Sequence, residues 1–244
     1  MLETLDHCPI CHGDQLAPVT NGNAPGSTCL QCGQVFLNPR MDDATAQAYY
    51  MGEYRDRVNQ NNIYDARDAQ RQRDRAHNQL HACWEYIDTA RTALEIGCSL
   101  GYLMDLISVQ FDTECVGVEP DTRYHEADPA RKLKLYRQVW DIPRLQFDLV
   151  MMSHSLEHMQ HPLEFIHAMR DMYMGEGSRF LIEVPNFGLT PGTLHDHHPY
   201  AFTEKTLNGL FERIGYKPLM MVRHGLNFSP LPFYLLAVYG RAPC

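Results

Sequence analysis

The sequence predicts an α/β fold, in which helices cover both faces of a doubly wound, mostly parallel sheet, with a small cysteine-rich module at the amino terminus. Three observations support this fold class. Short apolar runs alternate with segments of helical periodicity, the first such run ends in a turn with two glycines, and two cysteine pairs lie within residues 1–40. The chain has 244 residues, of which 44% are apolar, and this is enough for one ordinary domain and a small module.

The cysteine-rich module, residues 1–40, is predicted to bind a structural zinc ion. Its ligands would be two C-x2-C pairs with the spacing of a tetrahedral four-thiolate site: Cys8, Cys11, Cys29 and Cys32. Disulfides and free thiols are the alternatives, but Met1–Asp6 lacks the apolar core of an export signal, so we expect a cytoplasmic, reducing location. Four thiolates complete the shell, which leaves His7 and His12 outside it.

Residues 41–90 are predicted to form a helical linker or lid. Residues 59–75 are rich in Asn, Gln, Asp and Arg, which is typical of a solvated helix or a mobile lid. From Ala76 onward, apolar residues including Trp84 and Ile87 recur at three- and four-residue steps. This spacing predicts a helix with one face packed on the sheet.

The first predicted strand of the sheet ends in a glycine turn, within Ala93–Gly101. Gly97 and Gly101 allow a tight backbone turn that a ligand can approach, and the helix that follows points its amino end at the same place. A plain structural turn and a dinucleotide site are alternatives for this motif alone. The next apolar run ends at Glu119, about 20 residues later, where doubly wound folds place a carboxylate that binds ribose.

The remaining predicted elements alternate between strand and helix. A helix is expected to begin at Pro162 and to end at Gly175 and Gly177, and another to run from the capping residue Thr203 to Gly215. The predicted strands are Phe147–Met152, Phe180–Pro185, Leu219–Val222 and Phe233–Tyr239.

These features resemble the class I S-adenosylmethionine-dependent methyltransferases, whose motif is acid-x-Gly-x-Gly-x-Gly and whose fourth strand continues into a segment such as Leu156–His158, "LEH". Ser99 occupies the position of the middle glycine. The resemblance implies a Rossmann-like seven-stranded sheet for residues 91–244, closed by an antiparallel strand pair. It also implies S-adenosylmethionine as the cofactor, with these binding residues: Glu95, Gly97, Cys98, Ser99, Gly101, Glu119, Pro120, Ser153 and His154.

The segment after the cysteines narrows the resemblance. Residues 35–40, followed by Tyr49, Tyr50, Tyr54 and Arg55, are similar to bacterial methyltransferases that carry an amino-terminal zinc ribbon and are associated with sugar, polysaccharide and antibiotic biosynthesis. That similarity implies that Tyr50 or Tyr54 contacts the carboxylate of the cofactor. Simple packing is the alternative for both side chains.

Histidines are the candidate catalytic residues. His154 and His158 follow one strand, and His195, His197 and His198 follow the next, so both groups belong at the carboxyl edge of the sheet. Residues 194–203 are similar to a segment of sugar C-methyltransferases, which favours His195 and His197 as the general base, with His154 and His158 next. Two alternatives remain. The histidines can be read as surface residues or as residues that orient the following helix, or they could bind a divalent ion together with Glu157.

The expected function is S-adenosylmethionine-dependent methyl transfer to a small-molecule or glycan-like acceptor, with oxygen as the favoured atom and C-methylation of a sugar as a variant. An RNA methyltransferase that uses the ribbon as a clamp is the alternative enzyme, and a non-catalytic binding protein is the alternative outside catalysis. The formal net charge of −9 disfavours a nucleic-acid partner. No apolar run approaches the roughly 20 residues of a membrane helix.

Overall fold

The computed structural model describes residues 1–21, 24–53, 66–125, 133–143, 145–189, 193–225 and 231–242. The strands are β1 (Leu2–Glu3), β2 (Leu16–Asn21), β3 (Ala24–Cys29), β4 (Val35–Leu37), β5 (Arg40–Met41), β6 (Thr92–Ile96), β7 (Glu114–Val118), β8 (Lys134–Tyr136), β9 (Phe147–Ser153), β10 (Met174–Pro185), β11 (Tyr200–Ala201), β12 (Tyr216–His224) and β13 (Tyr234–Arg241). The α-helices are α1 (Asp43–Ala48), α2 (Ala66–Ile87), α3 (Tyr102–Phe111), α4 (Pro162–Tyr173) and α5 (Glu204–Glu212). A π-helical turn spans Tyr49–Glu53, and 3-10 turns span Thr122–His125, Val139–Asp141 and Leu156–His158.

Seven strands form the central sheet, in the order β12-β13-β10-β9-β6-β7-β8. Strands β6 to β10 pair in parallel, whereas β13 is antiparallel to both of its neighbours, β10 and β12. The predicted seven-stranded sheet with an antiparallel closing pair is therefore confirmed. Its parallel strands all end at one edge, and ligands of open α/β sheets bind at that edge.

The sheet is buried on both faces, as a doubly wound fold requires. Ala93 and Leu94 are adjacent in β6, and both are fully buried. Leu94 belongs to the core that contains Ile166 of α4, whereas Ala93 belongs to the core that contains Leu80 of α2 and Ile107 of α3. Successive residues of a strand point to opposite faces, so a continuous apolar run is needed to fill both layers.

The amino-terminal segment joins the rest of the chain through a shared sheet. Strands β2, β3, β4 and β11 pair antiparallel, and β11 comes from the far end of the sequence. The Leu37 amide donates to the Pro199 carbonyl at 2.8 Å, and the Gln34 side-chain amide donates to the Ala201 carbonyl at 2.9 Å. The cysteine-rich module is thereby tied to the segment that carries His195, His197 and His198. The domain boundaries at residues 40 and 90 stay predictions.

Arg40 adds a buried polar link at the same junction. Its side chain is 3% exposed and donates to the Glu3 carboxylate at 2.8 Å, the Gln160 carbonyl at 2.8 Å and the Tyr200 hydroxyl at 2.9 Å. One guanidinium therefore connects the amino-terminal strands, β11 and the loop before α4, because its five donors can serve several acceptors at once.

One predicted helix end is wrong. Helix α4 ends at Tyr173, and Gly175 and Gly177 lie inside β10 rather than in a terminating turn. The pairing of β10 with β9 shifts register between Met174 and Arg179. Glycines are common at such irregularities in a strand, so here they mark a bulge and not the end of the helix.

Helix α2 agrees with the helical alternative for its polar segment but differs from its prediction at Trp84. It begins at Ala66, so the polar residues 66–75 are helical and continuous with the apolar part that follows. Trp84, predicted on the buried face, is 41% exposed, and its ring packs edge-to-face with that of Phe111, with the ring centroids 4.7 Å apart. Tyr54, Arg55, residues 59–65 and Cys244 lie outside the described residues. Within the described part of the chain, no helix has the length and apolar character needed to cross a bilayer.

We expect Arg40→Ala to lower the free energy of unfolding by about 1.5–3 kcal/mol, because it leaves the Gln160 carbonyl and the buried Tyr200 hydroxyl without a charged donor. Denaturant unfolding followed by circular dichroism measures this change. Arg213→Ala, at an exposed arginine, is the matched control and should alter stability by less than about 0.5 kcal/mol. Equal stabilities of the two variants would show that Arg40 does not hold the junction together.

Candidate functional site

A cavity of about 590 Å³ opens at the carboxyl edge of the parallel strands. The glycine turn after β6 and the residues after β7 line one side of it, and the segment after β9 lines another. Helix α2 and the Val139–Asp141 turn complete the walls. The volume lies within the range of about 300–1,000 Å³ that is usual for small-molecule sites.

Positive φ angles shape the glycine turn. Gly97, Ser99 and Gly101 have φ of 72°, 50° and 67°. The Gly97 and Cys98 amides both donate to the Val118 carbonyl, at 2.8 and 3.0 Å, which holds the turn against β7. A Cβ atom at Gly97 would lie 2.8 Å from the Cβ of Ser155, so both the backbone angle and the available space require glycine there.

Two buried carboxylates hold the turn. Glu119 accepts the Ser99 amide at 2.9 Å and the Asp121 amide at 3.1 Å. Glu95 accepts the Met104 amide at 3.2 Å, in the first turn of α3. Glu95 and Glu119 are 4% and 3% exposed, yet both border the cavity. Both carboxylates are therefore held in place where they can meet a ligand of the cavity.

The structure brings almost all of the predicted cofactor residues together. The cavity is lined by Glu95, Gly97, Cys98, Ser99, Glu119, Pro120, Ser153 and His154. Gly101 does not line the cavity, but it closes the turn, because its amide donates to the Cys98 carbonyl at 2.7 Å.

Sequence reasoning missed a polar wall contributed by α2. Arg71, Arg75 and Gln79 line the cavity, and the Gln79 amide donates to the Ser153 hydroxyl at 2.6 Å. The polar composition of residues 59–75 predicts a solvated helix or a mobile lid, and does not by itself indicate a cavity wall. The available signal was their spacing, since these residues repeat at four-residue steps and continue into the buried stripe of the helix.

His154 lies in a charged network at the end of β10. Its Nε2 is 3.0 Å from Glu183 Oε1, and its Nδ1 is 3.3 Å from Glu157 Oε1. His224 Nε2 lies 2.6 Å from Glu183 Oε2, and Arg75 Nε lies 3.5 Å from Glu183 Oε1. Burial would raise the pKa of Glu183, but hydrogen bonds from His154 and His224 and the charge of Arg75 outweigh it and hold that pKa well below its usual range. Carboxylates therefore face both nitrogens of His154.

Four further histidines form a cluster beside this network: His158, His195, His197 and His198. The centroid of the His195 ring lies 3.9 Å from those of His197 and His198, and the His158 and His198 centroids are 4.5 Å apart. The His197 ring is nearly parallel to that of His158, with centroids 6.1 Å apart. Burial lowers the pKa of His198 far below its ordinary value, and neighbouring imidazoles lower it further. Burial also lowers the pKa of His195, so both rings are held neutral.

The cluster presents different members to the cavity from those that the sequence favoured. His158 and His198 line the cavity, whereas His195 and His197 pack behind them. Tyr50 also lines it, and its hydroxyl donates to the His197 carbonyl at 2.8 Å. The predicted role of Tyr50 at the cofactor carboxylate stays a prediction, and Tyr54 lies outside the described residues.

The four predicted zinc ligands also come together. The ligand atoms of Cys8, Cys11, Cys29 and Cys32 all lie within 4.8 Å of one another. The Sγ atoms of Cys8 and Cys32 are 3.7 Å apart, and those of Cys11 and Cys29 are 3.4 Å apart. Sulfurs at about 2.3 Å from a tetrahedral zinc lie about 3.8 Å from each other, so this thiol set fits the ion.

Residues 67–220 match a family described as a methyltransferase domain, and this match covers more than half of the chain. The chain belongs to this methyltransferase family. A comparison with curated protein sequences returns no match.

Solved structures with the same fold are class I methyltransferases. The 1,6-didemethyltoxoflavin-N1-methyltransferase of Burkholderia thailandensis, with its acceptor and S-adenosylhomocysteine bound, is 15% identical, with a TM-score of 0.63 over 88% of this chain and 98% of that one. The glycopeptide N-methyltransferase MtfA with S-adenosylmethionine is 11% identical, with a TM-score of 0.55 over 68% and 94%. The mitomycin 7-O-methyltransferase MmcR is 15% identical, with a TM-score of 0.60 over 81% and 60%.

Proposed function

We propose that this methyltransferase transfers a methyl group from S-adenosylmethionine to an oxygen of a small-molecule or glycan-like acceptor. The observation that carries the proposal is one cavity with two chemically different ends. The glycine turn with buried Glu119 lies at one end, and the imidazoles of His158 and His198 border the other, where burial lowers the pKa of His198. The methyltransferase structures with this fold act on small molecules or glycopeptides, as their names state, and this supports the same broad acceptor class.

The cofactor end fits S-adenosylmethionine. That molecule supplies a methyl group on a positively charged sulfur, which an acceptor atom attacks in line. Glu119 borders this end of the cavity, and its carboxylate would accept hydrogen bonds from the ribose hydroxyls, the role that a carboxylate at this position has in doubly wound folds. Gly97 lines the cavity at the same end, where the methionine portion would lie against its backbone, and Glu95 orients the start of α3. Cys98, Ser99, Pro120, Ser153 and His154 complete the proposed binding set.

The acceptor would bind at the histidine cluster, and we propose that a histidine of this cluster removes the proton of the acceptor's hydroxyl group. Both ring nitrogens of His154 face carboxylates, so neither is directed at the acceptor. His158 borders the cavity, and its Nδ1 contacts the His197 carbonyl. A carbonyl only accepts, so Nδ1 carries the hydrogen and the lone pair of the neutral ring is at Nε2. His195 and His197, favoured by the sequence, would support His158 from behind.

We also propose that the four cysteines bind a structural zinc ion. The sulfur spacing supports it, and four thiolates leave no position for water or substrate. Because β4 of this module pairs with β11, the ion would act on the active site by fixing the segment that carries the histidine cluster.

The first test concerns the cofactor. We expect Glu119→Ala to raise the Kd for S-adenosylmethionine by about tenfold to a hundredfold, because it removes a charged acceptor from the ribose and frees the Ser99 amide. Calorimetry measures both proteins, and Glu114→Ala, at an exposed position in β7, is the control. If wild-type protein bound neither S-adenosylmethionine nor S-adenosylhomocysteine, the proposed cofactor would be wrong. Equal affinities of the two variants would remove Glu119 from the site.

The second test concerns zinc. We expect Cys29→Ser to lose the thiolate-bound zinc of the wild type and to unfold residues 1–40 at a lower temperature, while binding of S-adenosylmethionine persists. Elemental analysis and limited proteolysis of protein purified without chelator give both results. Cys115→Ser, outside the cysteine cluster, should retain the metal. Absence of zinc and iron from the wild-type protein would contradict the four-thiolate site.

The third test concerns the acceptor end. We expect His158→Ala to lower kcat by a factor of about 10² to 10⁴ and to leave the Kd for S-adenosylmethionine almost unchanged, since the residue acts on the acceptor's proton. Turnover with a hydroxylated acceptor found by screening gives this comparison. His161→Ala is the control, because His161 is half-exposed and contacts Asp43. A loss of that size in His195→Ala or His197→Ala, but not in His158→Ala, would place the base in residues 194–200, as the sequence predicts.

A further inference from the structure

Glu157 is a buried carboxylate for which the methyl-transfer proposal provides no role. It lies in the 3-10 turn Leu156–His158 and is 0% exposed. Neither of its oxygens has a hydrogen-bond partner within the described part of the chain, although His154 Nδ1 lies 3.3 Å from Oε1. A buried ionised carboxylate is costly unless a cation and hydrogen bonds compensate it. Burial would raise the pKa of Glu157, but His154 and His158 favour the ionised form and keep that pKa below its usual value, so a carboxylate is present that a bound cation could use as a ligand.

Two imidazoles next to Glu157 are oriented as metal ligands usually are. Nδ1 of His158 contacts the His197 carbonyl, and Nδ1 of His198 lies 3.2 Å from the Thr193 carbonyl. Since a carbonyl only accepts, each Nδ1 carries the hydrogen of the neutral ring and each Nε2 carries its lone pair. Ligating histidines typically donate their second ring nitrogen to a backbone carbonyl or a carboxylate in this way.

The three side chains converge. One ligand atom each from Glu157, His158 and His198 lies within 4.8 Å of the others. Ligands at about 2.0–2.2 Å from an ion lie roughly 3–4 Å apart, so side-chain movements of about 1 Å would close the shell. His195 and His197 form a second group with His198, in which one ligand atom from each residue lies within 4.8 Å of the others.

We propose that Glu157, His158 and His198 bind a divalent first-row transition-metal ion at the acceptor end of the cavity. Imidazole together with carboxylate suits zinc, iron, cobalt or nickel better than magnesium or calcium, which prefer oxygen ligands. Three protein ligands leave coordination positions open, and His158 and His198 both border the cavity. The site is separate from the four-thiolate cluster, which has no open position.

The ion's role, though not its binding, rests on the proposed function. A divalent cation at this place binds and polarises an acceptor oxygen, which favours acceptors with a hydroxyl, or with two adjacent oxygens that can chelate the ion. With the ion bound, the Nε2 lone pair of His158 coordinates the metal instead of taking the acceptor's proton, and the loss of His158 or His198 lowers turnover through the metal.

Cobalt binding tests the site without any turnover. Protein with its cysteine site filled by zinc is titrated with Co²⁺ and followed by visible absorption. We expect one further equivalent to bind, with d–d bands but no thiolate-to-cobalt charge-transfer band. His198→Ala and Glu157→Gln should each weaken this binding at least about tenfold. Circular dichroism checks the fold of each variant, and Glu157→Gln preserves the volume of the side chain.

The controls separate this inference from the proposed function. His161→Ala and His167→Ala remove half-exposed histidines outside the cluster and should leave Co²⁺ affinity unchanged. If the zinc-loaded wild type took up no further cobalt, or if the His198 and Glu157 variants bound it as the wild type does, the metal site would be wrong. Calorimetry with S-adenosylmethionine tests the proposed function independently, because cofactor binding without cobalt binding overturns only the metal site.

Discussion

The pairing of β4 with β11 is the constraint on which the candidate active site depends. It joins Phe36 to Tyr200 and Val35 to Ala201, two positions separated by more than half of the chain. The Gln34 amide and the Arg40 guanidinium strengthen the junction from its two sides. The segment that carries the clustered histidines ends where β11 begins, so its position is set by the amino-terminal sheet. A structural ion in the cysteine module would thus influence chemistry that it never touches.

The polar groups around the cavity divide into three regions with different charge. Glu95 and Glu119 are buried carboxylates that accept hydrogen bonds from backbone amides of the glycine turn and of the first turn of α3. The Glu183 network is an ion cluster, in which Arg75 and two histidines hold the carboxylate ionised despite complete burial. The acceptor end instead contains neutral imidazoles, whose burial disfavours protonation. Neutral imidazoles are the form that can accept a proton or bind a metal ion.

The two halves of helix α2 are both packed against the rest of the protein, but one half is apolar and the other is polar. Its carboxy-terminal half packs on the sheet through Leu80 and Ile87, as its apolar spacing predicts. Its amino-terminal half turns the same helical stripe toward the cavity, where Arg75 and Gln79 form specific polar contacts. Polar composition indicated solvent exposure, because composition does not distinguish bulk water from a polar ligand cavity.

The sequence by itself determined the features that depend on neighbouring residues. The strand runs, the glycine turn around Gly97, the carboxylate at Glu119 and the two cysteine pairs all follow from local spacing, because backbone angles and side-chain alternation are local properties. Only the tertiary structure decided which histidines face the cavity, that buried Glu157 lies between His154 and the cluster, and that β11 joins the amino-terminal sheet. These depend on contacts between distant segments, whose geometry is set by packing of the whole chain and leaves no periodic signal in the sequence.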